Sequence, residues 1–268
     1  MASPVTRGTP RDWRVGAQAP NNAAQLKRRQ TLNETQPCQC PGCSRNRAGV
    51  SRYCGPHRDE ASRHGDPLAR LPARNELVIL KKAMAIYLET NPRLAKQVAG
   101  DLKALEARKV LPRSFMLGPS DIHRGLPQIA KAHGLLANWQ HRHGRSYTEA
   151  VTHAMALIGW MVIYYGNTGS PRSAGGLAEN RERFLQTRAG ALLGDFRKTI
   201  GPDAKGRTTT LIKDVSGATR RHLGRDFIRN AREIYGKDFW SSPVSTVDGQ
   251  DMTILDYAKA ALRAAKLL

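Results

Sequence analysis

The chain has 268 residues, and 40% of them are hydrophobic, which is enough to build a core and excludes disorder of the whole chain. Its 43 Lys and Arg residues outnumber 22 Asp and Glu residues, so the formal net charge is +21 and attraction to polyanions, above all nucleic acid, is expected. No run of about 18 to 20 apolar residues could span a bilayer, and no signal segment is recognisable, so we expect a cytoplasmic protein without a membrane partner.

Residues 1–36 predict a flexible basic arm. They carry several Pro and Gly residues among Thr, Arg, Asn and Gln, and they show neither a helical nor a strand period. The run Lys27-Arg28-Arg29 within this arm could rest on a nucleic-acid backbone, or it could be an ordinary solvated charge run.

All four cysteines of the chain follow within a short polar segment, and a histidine comes three residues after the last of them. Thiols gathered in this way, in a chain without signs of secretion, indicate a metal site and not disulfides. Zinc takes four thiolate or imidazole ligands, and Cys54 with His57 supplies half of such a site. The residues alone leave two choices for the other half, either Cys40 with Cys43 or Cys38 with Cys43.

The spacing within this segment is Cys38-x4-Cys43-x10-Cys54-x2-His57, and Arg63-His64-Gly65-Asp66-Pro67 follows it. Over about residues 36–70, this pattern resembles the small treble-clef zinc finger found near the start of many phage-type HNH endonuclease-like proteins. The resemblance implies that the zinc ligands are Cys38, Cys43, Cys54 and His57, with Cys40 spare, in a finger at residues 37–72. The catalytic HNH module that commonly follows such a finger is not recognisable in this chain.

A zinc ion with four protein ligands has no open position for water, so the predicted zinc is structural. Arginines are frequent around the predicted ligands: Arg45, Arg47, Arg52, Arg58 and Arg63. Acidic neighbours such as Asp59 and Glu60 are few, so these arginines could pair with phosphates, the alternative being a merely solvated surface. We select Arg45, Arg47, Arg52 and Arg63 as candidate nucleic-acid contacts.

Helical periodicity begins after the finger and predicts a helical domain over residues 73–268. The first helix covers residues 75–90, and Asn91 caps a second helix that begins at Pro92, so the two form a predicted hairpin. A capping-box pattern then opens an apolar stretch at residues 150–165, which predicts a central helix buried on most sides. The remaining elements are a helix at residues 177–199, a strand at 208–215 with no identifiable partner, and closing helices at about 216–236 and 252–267. The predicted fold class is therefore mainly α, with a small treble-clef-like zinc finger followed by a helical domain.

Four arginines share one face of the 216–236 helix, because they follow one another at steps of four, four and three residues: Arg221, Arg225, Arg229 and Arg232. Such a face matches a phosphate backbone, since each Arg that neutralises a phosphate releases a condensed counterion. The alternative is a solvated face balanced by Asp226 and Glu233, but two acids do not offset four arginines.

Residues 126–143 contain two weaker patterns. Residues 126–135 match the first helix and the turn of a helix-turn-helix, with Gly134 at the bend, and residues 136–143 would then be the recognition helix; an ordinary helical hairpin is the alternative. His133, Asn138 and His141 occur in the order of HNH catalytic residues, but the segment is predicted to be helical without flanking strands. We therefore assign no catalytic residue.

Together these patterns predict a zinc-binding, nucleic-acid-binding protein of phage or mobile-element type that contacts the phosphate backbone through Arg clusters. Two alternatives are a metal-dependent HNH-like endonuclease and a structural component of a ribonucleoprotein or virion assembly. The sequence does not distinguish DNA from RNA as the partner.

Overall fold

The computed structural model describes residues 19–68, 70–118, 121, 126–165, 178–200, 209–213, 215–247 and 250–268. The chain divides after Arg58 into two compact units. Residues 1–18 of the predicted basic arm lie outside the described residues, and the domain boundaries predicted at residues 36 and 72 stay predictions. The described residues are mostly helical, as the sequence predicted, and none of their helices is both long and apolar enough to cross a bilayer.

The first unit contains a helix that the sequence analysis did not predict, α1 (Ala19–Glu34), in the segment assigned to the arm. Its described side chains, residues 23–34, are exposed except for the half-buried Gln30 and Asn33, and Leu26 at 48% and Leu32 at 57% are not packed onto a core. The missing apolar stripe explains why periodicity failed here, while its Ala, Gln, Leu, Lys and Arg residues favour a helix locally. An irregular segment follows, with one β-bridge between Pro37 and Asn46, and leads into α2 (Gly55–His64).

The second unit contains seven further described helices, which are α3 (Arg74–Thr90), α4 (Pro92–Lys109), α5 (Gln128–His143), α6 (Tyr147–Tyr165), α7 (Ala178–Ala191), α8 (Gly217–Tyr235) and α9 (Ile254–Ala264). The predicted hairpin is confirmed, because α3 packs on α4 and Asn91 occupies the N-cap position before Pro92. Short 3-10 turns at Arg113–Phe115 and Phe239–Ser241 complete the helical elements of the described chain.

The core of the second unit surrounds α6. Val151, Ala154, Leu157 and Trp160 are enclosed almost completely, and α3, α7 and α8 pack against this helix. A helix that is apolar on nearly every side has to be covered by neighbours, so the prediction of a buried central helix is confirmed.

A buried carboxylate ties α3 to α6. The Glu76 side chain is fully enclosed, and it accepts hydrogen bonds from the backbone N–H of Ala73 at 2.7 Å, Trp160 Nε1 at 2.9 Å and the Tyr164 hydroxyl at 2.6 Å. Arg70 adds an ion pair. Burial alone would raise the pKa of Glu76, but the donors outweigh burial and the pKa is lowered, so the carboxylate stays ionised.

Helices α7 and α8 approach each other backbone to backbone. A Cβ atom added at Gly190 would lie 1.9 Å from the carbonyl oxygen of Arg220, and one added at Gly224 would lie 1.7 Å from that of Gln186. No larger residue fits at either position without moving a helix. Side chains of these two helices are therefore held close together.

The strands differ from the prediction in two places. The helix predicted at residues 177–199 ends at Ala191, and Phe196–Ile200 forms β1, which pairs antiparallel with β2 (Thr209–Lys213). The strand predicted without a partner therefore pairs with a segment that was assigned to a helix. A second antiparallel pair, β3 (Pro243–Val247) and β4 (Gln250–Thr253), was not predicted and leads directly into α9.

The predicted helix-turn-helix is wrong. Helix α5 runs without interruption from Gln128 to His143, and Gly134 lies inside it. A Cβ atom at Gly134 would lie 2.3 Å from Cδ1 of Leu117, so this glycine permits close packing and makes no bend. The segment is not a two-helix hairpin either, because both predicted pieces belong to one helix.

Candidate metal centre and basic surfaces

The candidate metal centre is built from two local turns of the first unit. In the first turn the N–H of Cys43 donates to the carbonyl of Cys40 at 3.1 Å, and Gly42 adopts a left-handed conformation with φ of 75°. In the second, Cys54 precedes α2 and the N–H of Arg58 donates to its carbonyl at 2.8 Å, so His57 lies in the first helical turn. Each turn brings its ligands to one side of the backbone.

The structure brings together Cys38, Cys43, Cys54 and His57, whose ligand atoms all lie within 4.8 Å of one another. His57 Nδ1 is 3.5 Å from the sulfur of Cys38 and 3.4 Å from that of Cys54, and the sulfurs of Cys43 and Cys54 are 3.9 Å apart. Tetrahedral zinc, with metal–sulfur bonds of about 2.3 Å and metal–nitrogen bonds of about 2.0 Å, separates two sulfurs by about 3.8 Å and sulfur from nitrogen by about 3.5 Å. These residues therefore fit a tetrahedral metal ion of this size.

Cys40 is left out of this group. It is buried, and burial together with the charge on Cys38 raises the pKa of its thiol to about 12, so it stays protonated at neutral pH. Its sulfur is not among the four ligand atoms that lie within 4.8 Å of one another. The geometry thus favours Cys38 with Cys43 as the first pair, a choice that residue chemistry alone left open.

Backbone donors prepare Cys38 as a thiolate. The N–H groups of Cys40 and Cys54 point at its sulfur at 3.5 and 3.3 Å. Burial would raise the pKa of Cys38, but these donors and His57 outweigh it and lower the pKa to about 6. Burial instead raises the pKa of Cys54, so metal binding has to displace its proton at neutral pH.

Helix α1 supports the loop that carries these ligands. Asn33 Nδ2 donates to the carbonyl of Gly49 at 2.9 Å, and Gly49 itself has a left-handed φ of 59°. The N–H of Arg47 donates to the carbonyl of Gln36 at 2.9 Å. Sequence reasoning missed Asn33 because its partner lies sixteen residues away.

The arginines selected near the metal centre differ in how their side chains are used. Arg45 and Arg52 are exposed and make no ion pair within the described residues, whereas Arg47 is half-buried and its Nε donates to the carbonyl of Pro37 at 3.1 Å. Arg63 is exposed in the last turn of α2. Arg45, Arg52 and Arg63 are therefore available to a ligand, while Arg47 also stabilises the loop.

The four arginines of α8 divide into two pairs. Arg229 lies 2.9 Å from Asp226 and 4.0 Å from Glu233, and Arg232 lies 3.0 Å from Glu182 of α7. By contrast, Arg221 and Arg225 contact no carboxylate in the part of the chain that the structure describes.

Glu182 was not predicted as a partner, because it belongs to another helix. Burial, with the positive charges of Arg183 and Arg225, lowers the pKa of Arg221. The alternative of a solvated helix face with its arginines balanced by acids therefore holds for Arg229 and Arg232. It does not hold for Arg221 and Arg225.

The residues in HNH order lie on one face of α5 and contact the connection between α4 and α5. The Asn138 amide donates to the carbonyl of Leu117 at 2.7 Å, and His141 Nε2 is hydrogen-bonded to the carbonyl of Leu111. The ring of His133 packs edge-on against Phe115. These contacts give the three side chains a role in holding the connection, and the helical conformation predicted for this segment is confirmed.

Comparison with known proteins gave no match to a protein-family model, to a curated protein or to a solved structure. The interpretation of the site therefore depends on its residues and their geometry. The likeness of residues 36–70 to a treble-clef finger stays a resemblance in spacing, to which the structure adds a group of three cysteines and one histidine able to hold a metal ion.

Proposed function

We propose that this chain binds one structural zinc ion and attaches to nucleic acid through the phosphate backbone. Three thiolates and one imidazole form a soft donor set, and their separations match a tetrahedral ion, which supports zinc over cations that prefer oxygen ligands. With all four positions taken by protein, the ion would hold the loop and leave no position for a reacting water.

The observation that carries the nucleic-acid proposal is the pair Arg221 and Arg225 on α8. Carboxylates are available on this helix and on α7, yet they engage Arg229 and Arg232 and leave the first two without an acidic partner among the described residues. Arg45, Arg52 and Arg63 offer further exposed guanidinium groups. In a chain with a net charge of +21, unpaired arginines of this kind suit phosphate contacts.

The test is a salt titration of binding to duplex DNA, single-stranded DNA and structured RNA. Replacing both Arg221 and Arg225 with Ala should weaken binding to every sequence alike and reduce the slope of log K against log salt by roughly 0.9 per lost phosphate contact. Replacing Arg232 with Ala should change the slope less, because Glu182 already shares its charge. Lys82→Ala, at an exposed position of α3, is the control for a simple loss of net charge.

Two results would contradict the proposal. One is a protein that binds none of the three nucleic acids at low salt. The other is an Arg221/Arg225 double variant whose salt slope equals that of Lys82→Ala, which would move the binding surface away from α8.

A further inference from the structure

Within the second unit, the part of α2 from Asp59 onward meets α7 and α8 at a group of cationic side chains. A Cβ atom added at Gly217, in the first turn of α8, would lie 2.5 Å from the carbonyl oxygen of Ser62 in α2, and α7 touches α8 at Gly190. These close approaches bring His64 of α2, Arg188 of α7 and Arg220 of α8 to the same region.

One member of this group lacks an acidic partner. Arg220 pairs with Asp195 at 2.6 Å, and His64 Nε2 pairs with Glu60 at 3.2 Å. Arg188 makes no hydrogen bond or ion pair with any residue that the structure describes. The Nε atoms of Arg188 and Arg220 and the Nδ1 atom of His64 are all buried without a hydrogen-bond partner.

Such an arrangement costs free energy in the protein alone. A buried guanidinium nitrogen without an acceptor loses its hydration and gains nothing in return, and like charges in a region of low dielectric repel each other. The pKa of Arg188 is lowered by burial and by the charge of Arg220, and the pKa of His64 is lowered by burial and by Arg188. On α6, burial with Lys81 and Arg188 lowers the pKa of His153 to about 3. Asp195 and Glu60 each balance one cation of this group, and Arg188 is left without a balancing carboxylate among the described residues.

We propose that Arg188, Arg220 and His64 form a binding site for a phosphate-type oxyanion. The planar fork of a guanidinium group matches two oxygens of a tetrahedral oxyanion, and the Nε atoms of Arg188 and Arg220 are N–H donors that no described residue accepts, with His64 in the same region. The site is half-buried, which suits a small free ion better than a polymer. It uses other residues than Arg221 and Arg225, and it stands whether or not the chain binds nucleic acid.

The experiment is a titration of the zinc-loaded full chain with inorganic phosphate, at an ionic strength held constant with chloride. Calorimetry should show one saturable site. The melting temperature should rise with saturation, by roughly 5 °C at a hundredfold excess over Kd. Because phosphate also stabilises folded proteins by exclusion from their surface, the saturable part of the rise is the relevant quantity.

Arg188→Met is the diagnostic variant, and Arg93→Met, at an exposed position of α4, is its control. Without phosphate, Arg188→Met should melt at or above the wild-type temperature, since it removes an unpaired buried cation. With phosphate, it should lose the saturable response, whereas Arg93→Met should retain it. Should Arg188→Met fold poorly, Arg188→Lys keeps the charge, removes the fork and should weaken phosphate binding about tenfold.

Saturable binding that is equal in wild type and in both Arg188 variants would overturn the proposal, as would the absence of binding in the wild type at millimolar phosphate. A last arm separates the sources of the phosphate group. Saturating phosphate that leaves oligonucleotide affinity unchanged supports a site for a free ion, and competition between the two supports the same site with a backbone phosphate as its natural occupant.

Discussion

Cys54 offers the sharpest test of the metal centre, because Cys40 provides a matched control. Both cysteines are buried in the same unit, and each can be changed to Ser by replacing one atom. Only Cys54 belongs to the group of four ligand atoms. We expect Cys54→Ser to lose the metal and Cys40→Ser to keep it.

The size of the effect follows from the small core of the first unit. Among its residues in the described chain, the buried hydrophobic side chains are Cys38, Cys40, Tyr53 and Cys54. Since so little apolar surface is enclosed, the metal has to supply most of the folding free energy, which is about 10–16 kcal/mol in zinc-finger peptides. Losing one ligand of four, even at a quarter of that value or about 2.5–4 kcal/mol, would lower the affinity by about two to three orders of magnitude.

The assay combines metal analysis with limited proteolysis. Wild type and Cys40→Ser should contain about one zinc per chain after purification under reducing conditions, and Cys54→Ser should contain little. Protease should then cut Cys54→Ser, or chelator-treated wild type, between residues 35 and 58. The second unit should stay intact, because its core cluster contains no residue of the first unit.

The pH dependence adds an independent check. Because the pKa of Cys38 is about 6, this thiol is ionised at pH 7.5, and below pH 6 zinc has to displace its proton as well as that of Cys54. The logarithm of the zinc affinity should therefore fall more steeply with decreasing pH below about 6 than above it. Stoichiometric, tight zinc in Cys54→Ser, or loss of zinc in Cys40→Ser, would refute this account of the ligands.

Three further outcomes concern the second unit. Glu76→Gln should destabilise it by about 3–5 kcal/mol in denaturant unfolding, because the donors around Glu76 lose the buried negative charge that they stabilise. Because the folded-state pKa of Glu76 is lowered, this difference should be present at pH 7 and shrink as the pH falls below the ordinary carboxyl pKa. A difference that does not change with pH would contradict this account. Gly224→Ala should lower the free energy of unfolding by more than about 3 kcal/mol, because its Cβ would collide with the backbone of α7. Gly100→Ala, which has open space around it in α4, should raise the free energy of unfolding by about 0.5–1 kcal/mol. Equal melting temperatures for the two variants would refute the close packing of α7 and α8. His153, with a pKa of about 3 when folded, binds a proton more readily when unfolded, so stability should fall as the pH drops from about 6.5 towards 3, and His153→Leu should flatten this dependence in acid-denaturation curves.

Several features of this protein were predictable because they depend on residues near one another in the chain. The pair Cys54 and His57 lies within one turn of structure, so its spacing alone indicated half a metal site. The helices α3, α4, α6 and α8 carry apolar residues at helical spacing, and their cores follow that pattern. The surplus of positive charge is a property of composition and needs no fold.

Other features were decided by contacts between distant residues, which leave no periodic trace in the sequence. Only tertiary contact between the cysteine loop and the start of α2 places Cys38 near His57 and leaves Cys40 outside the group of ligands. The pairing of Arg232 depends on Glu182, which is fifty residues away, and β2 found its partner in a segment whose composition also suits a helix. Backbone contact at Gly190 and Gly224 sets the approach of α7 and α8, and with it the grouping of Arg188 and Arg220. The sequence determined which side chains carry charge and sulfur, and tertiary packing determined which of them meet. A neighbour's charge or hydrogen bond acts over a few ångströms of space, however far apart the two residues lie in the chain.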